Sequence, residues 1–205
     1  MGASMRFFPE REERPADSRD LQRYRAPRWS GPPDDELPHA LPETAVLGTT
    51  ENLALLLSGV RAYSDGALFL VEWRLRRLDE DDAAWAALVR RVGGPRLPGE
   101  QALGALRLGL ELADGERLLA DGDSWWLPGE LTEPDRHVLG MANWGGGGSD
   151  DTQVFSGDLW LWPLPPEGPL TLAWEWPAFG LTEGTHQLSG SRIRAAADEA
   201  RPIWE

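Results

Sequence analysis

Three glutamates, Glu72, Glu111 and Glu175, each sit inside an alternating apolar run, and they are the residues best placed to do chemistry. Two carboxylates flanking a glycosidic bond cleave it with retention at about 5–5.5 Å separation and with inversion at about 6.5–9.5 Å. Period-2 alternation, however, turns Glu175 away from Trp174 and Trp176, toward the side where neighbouring runs offer Arg74 and Arg107. Cross-strand ion pairing is the simpler role for such carboxylates. His39, His137 and His186 stand in unrelated contexts without ligand spacing, so neither a metal nor a His-centred catalytic site is expected, and no cofactor signature is present. The glycine amides of Asn143-Trp144-Gly145-Gly146-Gly147-Gly148 could cradle a phosphate if a helix start or a basic residue assisted. Neither is nearby and Asp150 and Asp151 follow, so the expectation is a flexible surface loop. Asp121 with Asp123, or Asp150 with Asp151, could offer oxygens to Ca²⁺, but solvated turns account for both pairs.

The elements that must position these residues are strands. Ala45–Thr50 and Asn52–Tyr63 are β-rich, the second run bending at Gly59. Ala67–Arg77 alternates with Phe69, Val71, Trp73 and Leu75 inward; Ala105–Leu112 does so with Leu106, Leu108, Leu110 and Leu112. One apolar and one polar face marks an antiparallel, half-solvated sheet. Ala-Asp-Gly recurs at 113–115 and 120–122, which makes 105–127 a three-stranded meander. Later come two strands ending in Trp-x-Trp-Pro, with Trp160 and Trp162 sharing one face, and Leu170, Leu172, Trp174 and Trp176 sharing another. All four tryptophans are expected to be structural, since each large ring can bury about 150–250 Å².

Two helices are predicted. Asp79–Val92 begins with four acidic residues, ends with Arg90 and Arg91, and stops at Gly93-Gly94, a polarity that suits the helix dipole. Ser191–Arg201 is Ala-rich and ends at Pro202, with Trp204 folding back as an anchor. Together these elements predict a mainly β protein: a two-sheet antiparallel β-sandwich with one inserted and one C-terminal helix.

Residues 1–43 differ, holding seven of the 17 prolines. They read as a Pro/Arg-rich arm whose first half is disordered and whose second half lies on the domain, anchored by Trp29, Leu37 and Leu41. Residues 44–205 form the sandwich domain. The sequence Trp162-Pro163-Leu164-Pro165-Pro166, then Gly168-Pro169-Leu170 and Glu175-Trp176-Pro177, resembles an uncharacterised family of small proteins from high-GC bacteria. The resemblance covers most of 29–204, including Trp29-Ser30-Gly31-Pro32-Pro33, and implies one domain with its arm but no known activity.

Charge narrows the partners. Acidic residues number 34 against 20 basic ones, all Arg, for a net charge of −14. Nucleic acid and anionic membranes are therefore not expected ligands. Cysteine is absent, no apolar run is long enough for a membrane span, and no hydrophobic leader opens the chain; a soluble cytoplasmic protein is expected. The acidic stretch Glu111–Asp135 supplies the expected partner-binding residues: Asp114, Glu116, Asp121 and Asp123, with Trp125, Trp126 and Trp144 as apolar anchors. The expected function is a non-enzymatic module that binds a protein with a basic surface. The alternative is a small-molecule or carbohydrate-binding domain near Trp144 and the glycine run, with carboxylate-dependent hydrolysis as its catalytic variant.

Overall fold

The structure, a computed structural model, describes residues 26–93, 105–120 and 132–204. It is mainly β, built from antiparallel sheets with two helices. The larger sheet contains β2 (His39–Leu41), β3 (Ala45–Thr49), β4 (Leu53–Ala62), β5 (Ala67–Arg76), β8 (Val138–Gly148) and β9 (Thr152–Trp162). Its order is β2-β4-β5-β9-β8, with β3 sharing the β2 edge of β4. Around Ser58, the register of β4 shifts by one against β5, between Leu57↔Val71 and Gly59↔Leu70. This bulge changes the inward parity: Leu53, Leu55 and Leu57 are buried before it, Val60 and Ala62 after it. The expected bend at Gly59 is this bulge.

The smaller sheet runs β11 (Leu181–Ser189), β10 (Pro169–Trp176), β6 (Arg107–Glu111), β7 (Arg117–Leu119). The two inner faces meet in one core. Phe69, Val71, Trp73 and Leu75 of β5, all fully buried, face Leu108 and Leu110 of β6 and Leu170, Leu172, Trp174 and Trp176 of β10. At the margins β3 approaches β11 and β7 approaches β8, so the sandwich is nearly closed on both sides. A small ribbon of β1 (Glu36–Leu37) with β12 (Arg201–Pro202) lies apart from both sheets.

Helix α1 (Asp82–Gly93) is capped by the Asp81 carboxylate, which accepts from Ala84 N at 2.8 Å, and buries Trp85 and Val92. Helix α2 (Gly190–Ala197) is capped by Ser189 and buries Ile193, Ala196 and Ala197. It is shorter than the sequence predicts because residues 201–202 pair with β1 instead of continuing the helix. Trp204 is not an anchor; it is 73% exposed. Leu37 is likewise exposed, since β1 turns it outward, whereas Leu41 packs against the core.

The glycine run is the main correction. It is not a loop: Gly145–Gly148 form the end of β8, paired with Ser156–Gln153 of β9 across a turn at 149–151. Bare backbone is needed at Gly146 because Phe155 lies over it. A Cβ on Gly146 would sit 2.3 Å from the Phe155 ring and 3.0 Å from the Val154 carbonyl oxygen. The expected Asp114-Gly115 hairpin turn joins β6 to β7, with Gly115 at φ +89°. The third strand of the meander and the first half of the arm lie outside the described residues.

Candidate functional site

Trp160 and Trp162 share a face of β9, and it is the outer face of the larger sheet. Phe155, Leu159 and Leu161 point into the core, yet Trp160 is also 0% exposed. It belongs to a separate cluster with Tyr63 and Leu68, against which Trp162 packs. The cover comes from the N-terminal segment. A 3-10 turn at Arg28–Ser30, closed by Ser30 N and Oγ on the Pro27 carbonyl, lies over β9, and Trp160 Nε1 donates to the Arg28 carbonyl at 3.2 Å.

The Arg28 side chain locks this segment to the β4–β5 turn. Its Nη1 donates to Glu36 Oε1 at 3.0 Å, to Asp65 Oδ2 at 3.2 Å and to Ser64 Oγ at 3.4 Å. Ser64 in turn gives its amide and hydroxyl to Glu36, at 3.0 and 2.7 Å. The two carboxylates respond in opposite directions. Burial alone would raise the Glu36 pKa, but the Ser64 donors and the Arg28 guanidinium outweigh it and hold Glu36 below its ordinary value. For Asp65 burial wins over Arg28 and pushes the carboxyl up; its Oδ1 is buried with no hydrogen-bond partner among the described residues.

Beside this lock is an open cleft of about 720 Å³. Pro27 and Trp29 line one wall; Trp162, Pro163 and Leu164, where the chain leaves the larger sheet for the smaller, line the other. Arg28, Asp65, Glu133 and Arg194 supply charge of both signs. The crossover is braced by Arg194 Nη1, which donates to the Pro165 carbonyl at 3.1 Å, and by His137, whose Nε2 lies 3.4 Å from the Leu164 carbonyl.

Of the predicted partner residues, Asp114, Glu116 and Trp144 are not among those lining this cleft. Asp114 is exposed at the β6–β7 turn and its carboxylate accepts from Glu116 N at 3.0 Å. Glu116 Oε2 lies 3.0 Å from His137 Nδ1. Trp144 is half-buried against the core: its ring is 4.8 Å from that of Trp73, and its Nε1 donates to the Gly93 carbonyl at 3.3 Å. Asp121, Asp123, Trp125 and Trp126 fall outside the described residues. Each of the three mid-strand glutamates is engaged by an arginine: Glu175 across strands as expected, Glu111 across strands with an arginine not foreseen, and Glu72 within its own strand and not across strands. Glu175 meets Arg107, Glu72 meets Arg74 at 2.6 Å and Glu111 meets Arg117 at 2.6 Å, all on solvated faces. Among the described residues no three or more His, Asp or Glu side chains converge to hold a metal ion. Sequence reasoning missed the cleft, although Trp29-Ser30-Gly31 and Trp162-Pro163-Leu164 were both visible as motifs. Their meeting is a tertiary event between segments far apart in the chain.

No protein-family model, curated protein or solved structure matches this chain. No described helix is long and apolar enough to cross a membrane.

Proposed function

We propose that this protein is a non-enzymatic binding domain whose ligand is a small polar molecule with an apolar face, held between the N-terminal segment and residues 162–164. One observation carries the reading. Among the described residues, two indoles and four charged side chains of both signs, drawn from five separate stretches of chain, converge on one cleft. Its volume falls within the roughly 300–1,000 Å³ of small-molecule sites, which combine apolar walls with a few placed polar groups. Hydrolysis by Glu72, Glu111 or Glu175 is not part of the reading, because each is engaged by an arginine on an open face. A cytoplasmic setting is included in the proposal and is checked by fractionating the native host. The ligand reading is tested by screening small polar molecules against ¹⁵N-labelled protein. Hits should move the indole N–H signals of Trp29 and Trp162, and Trp162→Ala should abolish them; hits that map elsewhere would refute it.

A second reading keeps the acidic surface for a protein partner with a basic surface. It is favoured by the exposed Asp114 turn and by a net charge of −14, which also argues against nucleic acid and anionic membrane. Its partner should associate more slowly as salt rises, and more slowly still with Asp121→Asn/Asp123→Asn. A rate indifferent to both changes would remove this reading.

A further inference from the structure

The charges around the cleft restrict its ligand. Among the described residues that line it, Arg28 and Arg194 stand with Asp65 and Glu133, two cations with two anions. A ligand with net charge of either sign meets a like charge for each opposite one, and like-charge placement is strongly disfavouring at close range. A hydroxyl escapes this conflict because it donates to a carboxylate and accepts from a guanidinium equally well. Spare valences are present. The Arg28 side chain remains 53% exposed despite its ion pairs, and Arg194 makes no ion pair among the described residues. Glu133 is exposed, and the Asp65 side chain keeps 25% of its surface. The indole of Trp162 adds what a polyol alone would not need: a flat apolar face. Pyranose rings carry both features, a C–H face that packs on an indole and an equatorial rim of hydroxyls. The cleft is also open to solvent instead of closed, which leaves room for a chain of rings to pass through.

We infer that the cleft binds a neutral oligosaccharide, one pyranose stacking on Trp162 while its hydroxyls bridge the arginines and carboxylates. This rests on the reading of the cleft as a ligand site. The test titrates the full chain with neutral trisaccharides (maltotriose, cellotriose, xylotriose and triacetylchitotriose) and with two charged ones, trigalacturonate and deacetylated chitotriose, following the indole N–H signals. At least one neutral trisaccharide should move the Trp29 and Trp162 signals, and neither charged one should. Trp162→Ala should abolish binding. Because Trp162 also packs beside Trp160, Arg194→Ala on α2 is the second variant; loss of one charge-assisted hydrogen bond should weaken binding roughly ten- to hundredfold. Binding of only the charged sugars, or of other polar molecules but no neutral sugar, overturns the saccharide inference and leaves the ligand site standing. If a broad set of small polar molecules, sugars included, leaves both signals unmoved, the site itself is refuted.

Discussion

Glu36 and Asp65 share one guanidinium yet titrate in opposite senses, and this gives a test at the scale of single residues. Glu36 is held below 4.5, its ordinary value, and Asp65 is pushed above 3.8. A depressed carboxylate stabilises the fold above its unfolded pKa, and that contribution is lost as pH falls through its folded pKa. A raised one acts conversely: its ionisation opposes folding as pH rises from the unfolded to the folded value. Carboxyl-carbon NMR titration should therefore place Asp65 above 3.8 and Glu36 below 4.5. Ordinary values for both would show that the Arg28 lock is open in solution. Trp160 is the second residue to test. Replacing it by Ala should cost about 3–5 kcal/mol through lost burial and a cavity, read from the denaturant midpoint. Alternation in the sequence put Trp160 and Trp162 on one face correctly. It could not tell which face points inward, because period 2 fixes only relative sides. The cover over Trp160 comes from residue 28, 132 positions away.

Among the elements, patterned ones were legible and unpatterned ones were not. The inward sets of β5 and β6 and the Glu175–Arg107 pairing follow from alternation alone. The end of β8 has no side chains to alternate, and its strand conformation is imposed by pairing with β9. Helix α2 was overestimated because Ala-rich propensity says nothing of a partner strand waiting at Glu36–Leu37. If Gly146 of β8 is required by the ring above it, Gly146→Ala should destabilise the protein by about 1–3 kcal/mol, the usual cost of overpacking. Gly147→Ala is the control, since a Cβ there meets nothing within 4 Å. Equal melting temperatures for the two variants would mean that Phe155 yields freely.

For the whole molecule, the question is whether residues 26–43 are an appendage or part of the fold. They supply the wall of the cleft, the cover of Trp160 and an edge strand on β4. A chain starting at residue 44 should therefore melt well below one starting at residue 26, and it should lose the ligand response of Trp162. Equal midpoints by calorimetry would return the segment to the status of a loosely attached arm.

The β1–β12 ribbon has a consequence for the timing of synthesis. Glu36 lies opposite Pro202 and Leu37 opposite Arg201, so one of the first described strands needs residues 201–202, far along the chain, as its mate. A chain emerging from the ribosome can zip β4 to β5, and later β8 to β9, as each hairpin appears. Strand β1 must wait until residues 201–202 have been made. Glu36, one of the three partners of Arg28, stays untethered until then, so the cleft is completed only after α2 and β12 have emerged.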